Sequence, residues 1–286
     1  MSTQTWFITG SSRGFGRALV VAALEAGDRV VATARKPEQL FDLVAGYGDR
    51  VLPLELDVTD QAAADNAVAA ALDRFDSLDV VVNNAGYANL APIETATDFR
   101  TQFETNFWGV YNVTQAALPI LKAQGAGTVV QFSSIGGRVG GTPGLGSYQA
   151  AKFAVDGFTR VLAAETGPFG IRCLVVEPSG FATDWAGASM RVYDIPPDYD
   201  ETVGAMARGL DRPALTAGDP VRAGEILVRV VKRRELPSHL LIGAGAVDQA
   251  QNYSRSQIVQ ASAWEQVSRS ADFDQAYPVD LPDDIG

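Results

Sequence analysis

The stretch that most constrains this chain is Thr5-Trp6-Phe7-Ile8-Thr9-Gly10-Ser11-Ser12-Arg13-Gly14-Phe15-Gly16. A short apolar run, Trp6 to Ile8, leads straight into glycines at 10, 14 and 16. A helical pattern with Leu19, Val20, Ala23 and Leu24 on one face follows at once. Strand, glycine turn and helix together make a seat for a pyrophosphate. Glycine lets the backbone turn sharply and come close to a ligand, while the unpaired N–H groups and dipole of a helix N-terminus attract negative charge. The spacing Thr-Gly-x-x-x-Gly-x-Gly is one residue longer than the common dinucleotide fingerprint. Glycines in a strand–helix turn can also serve packing alone, so the remainder of the chain has to decide.

That remainder alternates strand and helix. Apolar runs at 29–34, 51–56, 78–82, 128–132, 171–176 and 239–242 read as strands. Asp60 or Thr59 can cap a helix carrying Ala64, Val68 and Leu72. The spacing of Phe99, Phe103, Phe107, Val110 and Val113 predicts one long helix over about 98–122. Further helices are expected over about 147–166 and from Asp219-Pro220 through Arg233. Continuous Val/Ile/Leu strands between amphipathic helices predict the α/β class: a doubly wound, parallel sheet of about seven strands, helices on both faces. Residues 1–243 are expected to form one domain, with 179–216 as a proline-bearing loop or lid. Residues 244–286 read as a C-terminal extension, helical through about Ser268.

Charge and rare residues narrow the function. The net charge is −11, with no basic run longer than Lys232-Arg233-Arg234, so nucleic acid is not an expected partner. No apolar span reaches 18 residues, and the first strand begins by residue 5. Neither a membrane segment nor a signal peptide is expected, and the cytoplasm is the expected location. One cysteine, Cys173, and one histidine, His239, cannot build an internal disulfide or a zinc site, so no metal is expected.

After the fifth strand come Ser133-Ser134, a glycine-rich loop, and then Tyr148-Gln149-Ala150-Ala151-Lys152. Residues four apart share a helix face, so the Tyr148 hydroxyl and Lys152 ammonium project into the same space. A phenol ionises near ~10 unaided, and a neighbouring cation lowers that value toward the range useful for proton transfer. The glycine turn, Asn83-Asn84-Ala85-Gly86, Ser133-Ser134 and Tyr148 all follow strands and point to one edge of the sheet, where ligands bind in such folds.

Together these motifs resemble a classical short-chain dehydrogenase/reductase over roughly residues 3–243. The likeness rests on Thr9–Gly16, Asp57-Val58, Asn83–Gly86, Asn106, Ser134, Tyr148, Lys152 and Pro178 to Thr183. It implies a Rossmann-type sheet and nicotinamide-dependent interconversion of a carbonyl compound and a secondary alcohol, a ketoreductase activity. By similarity Tyr148 is the acid/base, Lys152 lowers its pKa and holds the nicotinamide ribose, Ser134 bonds the carbonyl oxygen, and Asn106 holds a relay water. Gly10, Ser12, Arg13, Gly14, Phe15 and Gly16 would seat the cofactor. Asp57 and Val58 would meet adenine, Asn84, Ala85 and Gly86 the adenosine side, and Pro178 and Thr183 the carboxamide or phosphates.

The chain departs from that pattern in three places. Ser134 precedes Tyr148 by fourteen residues where thirteen is usual, which keeps Ser133 as an alternative. Ser179 stands where glycine is common, and the tail exceeds a compact core. The resemblance allows a homo-oligomer, dimer or tetramer, though the tail puts the family's common tetramer in question.

Cofactor choice is read from the end of the second strand. Ala34 stands where an NAD-selective site places an acid, and Arg35 follows it, with Arg13 approaching from the glycine turn. Two guanidinium groups suit a 2′-phosphate, so NADP(H) is the expected cofactor. Two rival readings come from other classes. One is a serine hydrolase, with Gly10-Ser11-Ser12-Arg13-Gly14 as nucleophile elbow and His239 as base. The other is an NADP-binding sensor or scaffold without chemistry. The substrate pocket is expected to be walled by 179–216, Val139–Leu145 and Tyr87–Ile93. Their apolar content (Tyr87, Leu90, Leu145, Phe181, Trp185, Met190, Tyr193) suits a largely apolar small molecule and equally a lid packed on itself.

Overall fold

The computed structural model describes residues 3–183, 185, 190–210 and 217–282. The expected lid therefore falls partly outside the described residues. In chain order the elements are β1 (Thr5–Ile8), α1 (Gly14–Glu25), β2 (Arg29–Ala34), α2 (Phe41–Tyr47), β3 (Val51–Glu55), α3 (Gln61–Phe75) and β4 (Val80–Asn83). There follow α4 (Phe99–Phe103), α5 (Gly109–Gln124), β5 (Gly127–Phe132), α6 (Gly136–Val139), α7 (Gly146–Thr166) and β6 (Ile171–Pro178). The remaining elements are α8 (Ala205–Arg208), α9 (Pro220–Val231), β7 (His239–Ile242), α10 (Ala244–Ala263) and α11 (Glu265–Arg269).

The seven strands form one sheet in the order β3-β2-β1-β4-β5-β6-β7, every neighbouring pair parallel. Alternation along β1 shows why its apolar run is unbroken. Trp6 and Ile8 enter a core with Leu19, Val20, Ala223 and Leu227 of α1 and α9, while Phe7 enters another with Val68, Val113 and Leu162 of α3, α5 and α7. Successive side chains point to opposite faces, and both faces are covered, so the central strands read as apolar runs. Asp60 caps α3 by accepting the Ala63 N–H at 3.1 Å, and Asp219 caps α9 by accepting from Val221 at 2.8 Å.

Two expectations change in detail. β4 starts at Val80 rather than 78, because the Gln124 side-chain amide takes both the N–H and the C=O of Leu78, at 3.0 and 2.7 Å. The single long helix is interrupted by a π-helical turn, Glu104–Trp108, between α4 and α5. There the helix passes so close to the β3–α3 connection that a Cβ on Gly109 would lie 2.4 Å from Val58 Cγ2.

Candidate active site

β1 and β4 are neighbours whose chain continuations run to opposite halves of the sheet, so a crevice opens beyond their carboxyl ends. A cleft of about 910 Å3 occupies it. Its first wall is the glycine turn. Gly10 has φ +67°, in the left-handed region, and a Cβ there would meet Ala85 Cα at 2.9 Å. A Cβ on Gly16 would lie 2.2 Å from Gly10 O, so only glycine lets α1 begin this near the turn. Thr9 ties the turn to β4: its Oγ1 accepts the N–H groups of Asn84 and Ala85, both at 3.0 Å, while Asn84 Nδ2 donates back to Thr9 O at 2.9 Å. No side chain caps α1, which leaves its first N–H groups open toward the cleft.

The opposite wall carries the proton chemistry. Tyr148 and Lys152 sit one turn apart on α7, with Lys152 Nζ 5.8 Å from the centre of the Tyr148 ring. Lys152 Nζ donates to Phe132 O at 2.7 Å. Burial governs both groups: it pushes the Tyr148 phenol up to about 12 and the Lys152 ammonium down to about 8. The neighbouring side chains of Ser134 and Trp185, both polar groups turned toward the phenol, oppose the rise at Tyr148. The lysine's charge, which the spacing suggested would lower the phenol, is not among the causes that act there.

Ser133 and Ser134 part company. Ser133 is buried and its hydroxyl donates to Lys152 O at 2.9 Å, whereas Ser134 lines the cleft beside the phenol and its Oγ accepts the Gly136 N–H at 3.0 Å. Asn106 lies in the π-helical turn, fully buried behind the cleft. Its Nδ2 donates to Tyr87 O and Gln102 O, both at 2.8 Å, and its Oδ1 accepts the Tyr87 N–H at 3.1 Å. Its amide is thus spent on the backbone of α4 and of the loop after β4.

Of the residues singled out from sequence, Ser12, Arg13, Gly14, Phe15, Arg35, Asp57, Val58, Gly86, Pro178 and Thr183 also line the cleft. Gly16 and Asn106 are packed behind it. Phe15 lies in an aromatic group with Phe132 and Phe181, ring centres 5.6 and 4.7 Å away. Asp57 uses one oxygen to accept from Thr59 N and Oγ1. Arg13 and Arg35 are exposed at the same end of the cleft, neither in an ion pair among the described residues. Thr101, Glu104 and Thr105 line the cleft as well. They recur at helical spacing, but in sequence such a polar face reads as a solvated one.

Tyr87, Phe181 and Trp185 face the cleft, while Leu90, Leu145 and Met190 pack with Val203, Ile195 and Tyr199 in a cluster that Tyr148 and Trp185 join from the cleft side. The described part of the lid is stitched to the body: Leu90 N–H donates to Arg191 O, and Tyr193 N–H to Leu90 O, both at 2.9 Å. The hydrolase geometry is absent. His239 opens β7, four strands from β1 and at the other end of its strand, where it bonds Asp156 at 2.6 Å. Neighbouring strands lie about 4.8 Å apart, so Ser12 is far beyond its reach.

Comparison with known proteins agrees with this geometry. The family model described as short chain dehydrogenase matches residues 4–192. The oxidoreductase BOA17 of Botryotinia fuckeliana is 46% identical over 270 residues, covering 93% of this chain and 98% of that protein. A short-chain dehydrogenase from Streptomyces avermitilis superposes with a TM-score of 0.88 at 38% identity, over 95% of this chain and 100% of the other. A short-chain dehydrogenase from Burkholderia cenocepacia in complex with NADP superposes with a TM-score of 0.73 at 26% identity, over 91% and 97%. Among the described residues no helix is long and apolar enough to cross a membrane, and no cluster of His, Cys, Asp or Glu could hold a metal ion.

Proposed function

The chain belongs to the short-chain dehydrogenases, a family of oxidoreductases, and on that premise we propose that it interconverts a carbonyl compound and a secondary alcohol with NADP(H). The observation that carries this reading is the meeting of Tyr148, Lys152 and Ser134 in the same cleft as the glycine turn. The cradle fits a dinucleotide: close backbone approach at Gly10 and Gly16, an uncapped helix start, and two exposed arginines at the adenosine end. Arg35 and Arg13 would hold a 2′-phosphate, with Ala34 leaving room where a carboxylate would repel it. The NADP bound by the Burkholderia relative supports the same choice. When bound, the cofactor supplies or accepts a hydride.

The chain's own groups manage the proton. With its pKa pushed up to about 12, Tyr148 is protonated at neutral pH and is an acid toward a carbonyl oxygen. Ser134 fixes the direction of the phenol, and the alkoxide-like oxygen of the reduced substrate takes the Tyr148 proton. Lys152, brought down to about 8, exchanges protons near neutrality and can return one to the phenolate. Asn106 holds the Tyr87 backbone and so shapes the wall opposite Lys152, where a Cβ on Gly86 would meet Asn106 Oδ1 at 2.5 Å. Phe181, Tyr87 and Trp185 give the reacting end an aromatic lining suited to a largely apolar substrate. The test is NADPH consumption against a panel of aliphatic and aryl ketones. Tyr148→Phe is expected to lose at least a hundred-fold in kcat, the scale of a lost acid–base group, while NADPH binding stays. A Phe variant keeping more than about a tenth of kcat overturns the assignment; NADPH bound with no ketone reduced would favour the sensor.

A further inference from the structure

Five buried side-chain atoms have no hydrogen-bond partner among the described residues: Gln4 Oε1, Arg29 Nε, Asn83 Oδ1, Gln131 Oε1 and Trp185 Nε1. Only Trp185 lines the cleft. An indole N–H is donor only, and leaving it buried without an acceptor is costly, so such an orphan at a ligand site points to an acceptor that arises there. Packing does not explain its orientation. The Trp185 ring lies 5.4 Å from the Tyr148 ring at 55°, within the apolar cluster that includes Leu90 and Leu145, a setting that phenylalanine would satisfy equally well.

We infer that Trp185 is a catalytic residue of the proposed reaction: its indole N–H donates to the Tyr148 oxygen when that oxygen carries negative charge. The inference rests on the function proposed above. In carbonyl reduction the Tyr148 O–H bond breaks, its proton goes to the substrate oxygen and the electron pair stays on the phenolate. Two side chains act on that oxygen, Ser134 from the end of β5 and Trp185 from the loop after β6. Lys152 lies on the same helix as the tyrosine, its Nζ 5.8 Å from the ring centre. Lys152 is the charged one, and its Nζ is already engaged by Phe132 O. That bond takes one of its three N–H donors, and the neutral donors add stabilisation of their own, in the direction in which Ser134 and Trp185 act on the phenol. A fixed donor aimed at developing charge needs no reorganisation during the step.

Trp185→Phe keeps the ring and deletes the donor. The probe is the panel ketone that the wild type reduces fastest, together with its alcohol. Oxidation of the matching alcohol by NADP+ at neutral pH is expected about ten-fold slower, with KM for NADP+ unchanged. An unchanged rate of alcohol oxidation overturns the inference. A second measurement needs no turnover. In protein carrying heavy nitrogen in its tryptophans, the Trp185 indole resonance is identified by its loss in Trp185→Phe. Tyr148→Phe is expected to move it, because the oxygen it faces is gone. If no ketone is reduced, the functional reading fails while this resonance still decides the inference, and a resonance indifferent to Tyr148→Phe refutes it.

Discussion

Lys152→Met is expected to make the protein more stable at neutral pH while removing its activity. The ammonium is buried, with Phe132 O as its hydrogen-bond acceptor, and burial brings its pKa from the ordinary 10.5 down to about 8. At about 1.4 kcal/mol per pH unit, that displacement corresponds to about 3 kcal/mol. The sign follows from proton binding. Between pH 8 and 10.5 the unfolded chain keeps the lysine proton while the folded chain has released it, so stability rises with pH across that window. Below pH 8 the folded state carries the whole penalty of a buried charge, and the variant does not. Methionine also strands the Phe132 carbonyl, a cost that is the same at every pH. The measurement is urea unfolding of both proteins from pH 7 to 9.5. Their stability difference should stay level below 8 and then move by about 2 kcal/mol in favour of the wild type by 9.5. Titrations elsewhere in the chain cancel in the subtraction. A difference that does not change with pH refutes the reasoning and means that the Lys152 ammonium is paired in solution.

Asn106→Ala should cost about 3 kcal/mol in urea unfolding, since the Tyr87 N–H and C=O are left buried without partners at about 1–3 kcal/mol each; a loss below about 1 kcal/mol would mean that water replaces the amide. If the proposed preference for NADPH holds, Ala34→Asp should reverse it and Arg35→Ala should lower kcat/KM for NADPH alone. Equal efficiency of the wild type with both cofactors would remove the basis for both changes.

The parts of the fold that rest on local spacing were readable in sequence. The glycine turn, the apolar strands and the Tyr148–Lys152 step each need only a few adjacent residues, and backbone geometry does the rest. What needs burial or long-range approach was not readable. The spacing of Tyr148 and Lys152 suggested that the cation lowers the phenol, and burial decides otherwise, moving the two in opposite directions. The choice between Ser133 and Ser134 depends on which hydroxyl the Lys152 carbonyl captures, a contact across 19 residues. The π-helical turn at Asn106 leaves the periodicity of Phe99, Phe103 and Phe107 almost untouched, so an uninterrupted helix was the natural expectation. Trp185 looked like one more apolar residue of a loop, because the loneliness of its N–H exists only in three dimensions.

The sheet's amino end holds a contact with a consequence for folding. Asp28, almost wholly buried ahead of β2, accepts from Trp6 Nε1 at 3.0 Å and from Gln4 N, and pairs with Lys232 Nζ at 2.7 Å just past α9. The two charged partners are roughly two hundred residues apart in sequence, and closing a contact of such separation carries a loop-closure cost that slows it. This clasp is expected to close late, once both halves of the sheet have joined. Trp6, wholly buried and bonded to the same carboxylate, makes its closure visible as fluorescence. A refolding experiment on a variant that keeps Trp6 as its one tryptophan of four, with Asp28→Asn as control, would time this step without any added label.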